Sequence, residues 1–215
     1  RIFLMANNGS NDGASEMDVV YDWNEVGRTG PVIKGRFKLV DETLRDGLQS
    51  PSVHNPSIGD KLELLHLMDA CGIEVVDVGL PGTGEQAFSD VKRLCREIRD
   101  QKMGIKPNCA GRTHPADVQA IIDASQEVGM EIEVCAFLGA SPIRRMVEGW
   151  DPKRMLDMTT TAANLTVDAG LPFSFVTEDT TRSDPKTLDT LFRDSPSANL
   201  QCHRIAAVVV IAIEA

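Results

Sequence analysis

FKLVDETLRDGLQSP, residues 37–51, opens the regular part of the chain. FKLVDE reads as a short strand that ends in acidic residues. Past it, Ile58, Leu62, Leu65 and Met68 recur at helical spacing, and Gly72 stops that helix. IEVVDVG (73–79) is the next strand, rich in β-branched residues. Thr83 is placed to cap a second helix, with Gln86 closing a capping box. Phe88, Val91, Leu94, Cys95 and Ile98 mark its buried face. IKPNCA (105–110) is a third strand, although Pro107 has no N–H for a ladder. Val118, Ile121, Ile122, Ser125 and Val128 give a third helical face. IEVCAF (132–137) is a fourth strand. Asp151 and Pro152 then start a helix as cap and first-turn residue. Met155, Met158, Ala162, Leu165 and Ala169 line its inner side. LPFSFVT (171–177) is a fifth strand. Ser183-Asp184-Pro185 repeats the helix-start chemistry ahead of Leu188, Leu191 and Phe192.

Strand and helix thus alternate five times at intervals of roughly 27–40 residues, which implies parallel strands joined by right-handed crossovers. An open doubly wound sheet and a closed barrel both fit. No GxGxxG follows the first strand, which weakens the dinucleotide-binding version. The polar runs Asp41 to Gln49, Gly79 to Gly84, Gly139 to Arg145 and Glu178 to Arg182 all follow strand ends. In a barrel such loops gather on one face and build the site. The expected fold is therefore α/β, the N-terminal five βα units of a (β/α)8 TIM barrel, incomplete as given because five strands cannot close it.

Composition narrows the function classes. The chain has 215 residues, 42% of them hydrophobic, and a formal net charge of −10. Such a chain repels phosphate, so neither nucleic acid nor an anionic membrane is an expected partner. No apolar run reaches the ~18–20 residues that span a bilayer. The N-terminus lacks a basic stretch followed by an apolar core, which argues against a secretory signal. Five cysteines, widely spaced and without a CxxC pair, suit reduced thiols in a cytoplasmic compartment.

The stretch LVDETLRDGLQSP (39–51) carries the chemistry. Asp46 can give an oxygen to a hard divalent cation. Arg45 beside it offers a planar fork of donors to a carboxylate or a developing enolate oxygen. A metal ion and a guanidinium side by side suit the stabilisation of negative charge on oxygen while a carbon–carbon bond forms or breaks. The same residues also suit an ion-pair network of Asp41, Arg45 and Asp46 that plugs the barrel mouth, and residue chemistry alone does not choose between the two.

The stretch resembles the signature of the metal-dependent barrel enzymes that include 2-isopropylmalate, homocitrate and citramalate synthases and hydroxymethylglutaryl-CoA lyase. Their motif D-x-T-L-R-D-G-x-Q is matched at every fixed position from Asp41 to Gln49. The resemblance continues through VDVGLPGTGEQAFSDV (76–91), FLGASPIRRMVEGW (137–150) and VTEDTTRSDP (176–185). It implies an acyltransferase that condenses acetyl-CoA with a 2-oxo acid. The expected product is that of a 2-isopropylmalate synthase, in leucine formation, ahead of homocitrate or citramalate formation and of the lyase direction. It implies a divalent ion (Mg, Mn or Zn) held by Asp46, a substrate oxygen steadied by Arg45, Gln49 lining the oxo-acid pocket, and Glu178 as an acid near the reacting centre. Arg182 is expected to hold the loop after the fifth strand by pairing with Glu178 or Asp179. A homodimer is expected for the complete enzyme. Glu42 and Leu48 depart from the pattern, standing where many synthases have Thr and Glu. Cys135 and Ala136 occupy the fourth strand, where many synthases carry a histidine. The family also completes its metal site with a His-x-His pair, and none of His54, His66, His114 and His203 forms one. His66 and His114 read as surface or cap residues. An inactive fragment and a CoA-independent metal aldolase are therefore the rival readings.

Residues 1–35 read as a flexible N-terminal arm, with Tyr21 and Trp23 as apolar anchors. Residues 36–193 read as a partial barrel catalytic domain. The stretch 194–215 does not continue the last helix and reads as an atypical tail, either an insertion or gene-model artefact or a divergent loop followed by a strand.

Overall fold

The computed structural model describes residues 38–193. The expectations for the arm and the tail lie outside the described residues.

Five strands form one parallel sheet in the order β1-β2-β3-β4-β5: β1 Val40–Asp41, β2 Val75–Asp77, β3 Lys106–Arg112, β4 Glu133–Gly139 and β5 Phe173–Glu178. Strictly sequential order means that every crossover advances in the same direction. With right-handed crossovers this puts all the helices on one side of the sheet. A doubly wound sheet instead reverses direction at a switch point. The chain is therefore an arc of a (β/α) barrel, as expected.

The helices are α1 Ile58–Cys71, α2 Glu85–Asp100, α3 Pro115–Val128, α4 Pro142–Glu148, α5 Pro152–Asp168 and α6 Pro185–Arg193. Packing runs α1 on α2, α2 on α3, α3 on α5 and α5 on α6. The core lies between this layer and the sheet. Val76, Cys109, Val134, Ala136, Leu138 and Phe173 meet Leu65, Leu94, Ile98, Ile121, Met155 and Leu191 there. Burial along β4 shows the two sides of the sheet. Val134, Ala136 and Leu138 are buried against the helices, while Glu133, Cys135 and Phe137 on the inner face are only partly covered.

Local signals explain most boundaries. Ser57 and Asp60 form a full capping box that starts α1, and Gly72 ends it with a left-handed φ of 81°. His114 caps α3, its Nδ1 accepting from the Ala116 N–H at 3.2 Å. Asp151 accepts from the Arg154 N–H at 2.7 Å at the start of α5. Asp184 accepts from the Thr187 N–H at 3.0 Å in the first turn of α6.

Three expectations need correction. Thr83 does not cap α2: its hydroxyl donates to the Leu80 carbonyl at 2.7 Å, Gly84 precedes the helix, and Gln86 turns to Asp90. The run Gly139 to Arg145 is not all loop, because Ser141 caps the short helix α4 and Pro142 occupies its first position. FKLVDE yields only a two-residue strand among the described residues.

Pro107 sits inside β3 without cost for a topological reason. Lys106 donates to Glu74 and Asn108 accepts from Val78, so these two residues face β2. Alternation turns the missing donor of Pro107 towards β4, whose pairing with β3 starts only at Asn108 and Glu133.

Candidate active site at the strand ends

The turn after β1 is wound tightly. Asp41 Oδ1 accepts from the Thr43 N–H at 2.8 Å. The Glu42 carbonyl accepts from the N–H groups of Arg45, Asp46 and Gly47 at 3.1, 2.8 and 3.1 Å. Leu44 is buried and anchors the turn in the core. A short 3-10 turn over Gly47–Gln49 follows. The turn therefore fixes Glu42, Arg45 and Asp46 within one helical turn of each other at the C-terminal end of β1.

Arg45 is the centre of a carboxylate cluster. Its Nε donates to Asp77 Oδ2 at 3.2 Å, its Nη1 to Asp46 Oδ1 at 3.1 Å, and its Nη2 to Glu42. Asp77, the last residue of β2, is 1% exposed, and its other oxygen accepts from the Gly79 N–H at 3.0 Å. Burial works against the charge on Arg45, but Asp77, Glu42 and Asp46 outweigh it and raise the guanidinium pKa. Burial and then the charge of Glu42 push the Asp77 carboxyl up to about 7, against the pull of Arg45 and of the Gly79 N–H. Beside Asp77 in register stands Asn108 on β3, projecting from the same face. Its Oδ1 is buried without a hydrogen-bond partner among the described residues.

The ion-pair network weighed for this motif is thus formed, with different members. Asp77 and Glu42 join Arg45 and Asp46, while Asp41 serves the turn. Asp77 was not singled out in the sequence. The signal for it was an acid at the end of an otherwise apolar strand, where an ionised group requires a partner.

Arg45 and Gln49 line one cavity of about 480 Å³. Leu44, Leu48, Val78 and Leu80 give it apolar wall. The departure at Leu48 thus adds an apolar surface where many synthases have an acid. The ammonium of Lys61 and the carboxylate of Asp90 form a largely buried pair at 2.7 Å in the same wall, and Gln86 donates to the second Asp90 oxygen at 2.7 Å.

Glu178 is not brought into this cavity. It stands exposed at the end of β5, paired in register with Gly139, and lines a separate cavity of about 290 Å³ with Ser141, Arg144, Asp179 and Arg182. Arg182 pairs with Asp179 at 2.6 Å, one of its two expected partners. The Arg144 side chain lies across Gly139, where an added Cβ would stand 2.5 Å from its Cγ. His66 bonds the Glu97 carboxylate on the surface at 3.0 Å. Both expected structural histidine roles, surface for His66 and cap for His114, are therefore seen.

Asp46 is suited to give one ligand to a hard cation. Its side chain is 34% exposed, and among the described residues one of its oxygens is engaged, by Arg45. No three His, Cys, Asp or Glu side chains converge as a metal-holding group among the described residues. Among the described residues Asp46 is therefore a single candidate ligand, and no metal-holding group accompanies it. No helix among them is long and apolar enough to cross a membrane.

The chain is similar to known proteins. The family model HMGL-like matches residues 36–212. A 2-isopropylmalate synthase of Nitratidesulfovibrio vulgaris is 26% identical over 159 residues, covering 74% of this chain and 30% of the relative. The homocitrate synthase AksA of Methanopyrus kandleri is 29% identical over 159 residues, covering 72% of this chain and 37% of the relative. The chain therefore spans about a third of the length of these curated relatives. The crystal structure of the HMG-CoA lyase from Brucella melitensis superposes with a TM-score of 0.57 at 14% identity, over 78% of this chain and 59% of the lyase. That likeness establishes the shared barrel fold. The relatives are synthases and a lyase, and with the family model matching most of its length, the chain belongs to the HMGL-like family.

Proposed function

We propose that the chain supplies the first five βα units of an acyl-CoA-dependent synthase of the 2-isopropylmalate type, which joins acetyl-CoA to 2-oxoisovalerate. The observation that carries this reading is the cluster at the end of β1, where a guanidinium that lines a cavity with an apolar wall is hydrogen-bonded to a partly exposed carboxylate beside it in the chain. Arg45 hydrogen-bonds the oxygen on which negative charge develops, and Asp77 holds its Nε from the buried side. Gln49 lines the chamber for the oxo acid, and Leu44, Leu48, Val78 and Leu80 accept a branched apolar tail. Asp46 gives one oxygen to a divalent ion (Mg, Mn or Zn), which when bound polarises the keto oxygen. Glu178 stands at the end of β5 in the separate cavity and takes no step at Arg45. In the reaction a base takes a proton from the acetyl methyl group, the resulting carbanion bonds to the keto carbon while the C=O π electrons move to oxygen, that oxygen takes up a proton, and water then hydrolyses the thioester to free CoA. Four free thiols among the described residues agree with a reducing compartment such as the cytoplasm.

The test uses the complete gene product with acetyl-CoA and a panel of 2-oxo acids, following CoA release with a thiol reagent. The highest kcat/KM is expected with 2-oxoisovalerate. Preference for 2-oxoglutarate would move the reading to homocitrate formation, which the similarity to AksA also supports. Absence of CoA release with every oxo acid would end it.

A further inference from the structure

The outer edge of Arg45 is already occupied. Asp77 holds Nε from inside the fold, with a side chain 2% exposed. Glu42 and Asp46 take Nη2 and Nη1, and their side chains are 30% and 34% exposed. A bidentate ligand carboxylate needs that same pair of nitrogens. A ligand oxygen that takes Nη2 must therefore displace Glu42. Glu42 is tethered three residues before Arg45, and its carbonyl ties down the turn through three N–H groups. This tether gives its carboxylate an effective concentration at Arg45 on the order of millimolar or more.

We propose that Glu42 is a built-in competitor at Arg45, a specificity-determining carboxylate that admits only anions able to displace it. The proposal rests on the assignment of Arg45 as the anion-binding group. Weakly binding anions are turned away, while a ligand carboxylate that holds Arg45 more strongly than the tethered Glu42 does is accepted. Glu42 moves aside as the ligand carboxylate arrives, and no covalent bond changes.

Oxalate, a small planar dicarboxylate, is the probe. Its dissociation constant is measured by isothermal titration calorimetry, without added metal, on the full chain as wild type, Glu42→Gln and Glu42→Asp. Thermal melts of each protein confirm folding. Glu42→Gln should bind oxalate about tenfold tighter than wild type, because the competing charge is gone while the size is kept. Glu42→Asp, which keeps the charge, should gain less than Glu42→Gln. Equal affinity in all three proteins would overturn the proposal, as would an equal gain in both variants or failure of every protein to bind. Tighter oxalate binding by Glu42→Gln in a gene product that releases no CoA with any oxo acid would uphold the competitor and reject the synthase reading.

Discussion

Replacing Asp77 with asparagine isolates one electrostatic quantity. The carboxyl is carried from an ordinary value of 3.8 to about 7 by burial and by the neighbouring charge of Glu42. An unfolded chain releases this proton near pH 4, whereas the folded chain keeps it until about pH 7. Between those limits the folded state binds more protons, so this group makes stability fall as pH rises. At about 1.4 kcal/mol per pH unit, the loss between pH 5 and pH 8 is about 3 kcal/mol. Asparagine has no such titration and nearly the same volume. Urea denaturation of both proteins across pH 5–8 gives the difference in unfolding free energy, in which contributions from all other groups largely cancel. The stability of wild type relative to Asp77→Asn should fall with rising pH and level off above pH 7. A difference that stays flat would refute the reasoning. A rise with pH would show that Arg45 and the Gly79 N–H overcome burial and hold the carboxyl low.

Ser57→Ala removes the capping box of α1 and should cost about 1 kcal/mol in urea denaturation. Leu65→Ala opens a hole in the fully buried face of α1 and should cost about 2–5 kcal/mol, read as a lowered denaturation midpoint with an unchanged slope. Gly139→Ala should cost about 1–3 kcal/mol because the new methyl group meets the Arg144 side chain; adding Arg144→Ala should recover much of that loss in a double-mutant cycle, and simple additivity would show that the backbone is the obstacle.

Periodicity made the architecture legible because each helix buries one stripe. Val118, Ile121, Ile122, Ser125 and Val128 are all buried in α3, as their spacing requires. The misses came from competition among polar groups. Thr83 has a nearer acceptor in the Leu80 carbonyl, so its capping chemistry serves the preceding turn. Helix α4 is short, with no buried residue to set a periodic stripe, and only Ser141-Pro142 before it and Gly149 after it mark its ends. At the site, Arg45, Asp46 and Gln49 could be chosen from one local stretch. Asp77 lies 32 residues away from Arg45, and only the parallel pairing of β1 with β2 brings them together. Glu178 depends on how the arc of strands places its ends, and local sequence does not encode that distance.

The most direct measurement is an anomalous-scattering map from crystals of the complete gene product grown with Mn²⁺ and 2-oxoisovalerate. The proposed chemistry requires a manganese peak directly coordinated by the Asp46 carboxylate, with the Arg45 guanidinium hydrogen-bonded to the oxo acid. A peak elsewhere, with Arg45 still closed on Glu42 and Asp46 while the oxo acid is bound, would contradict it.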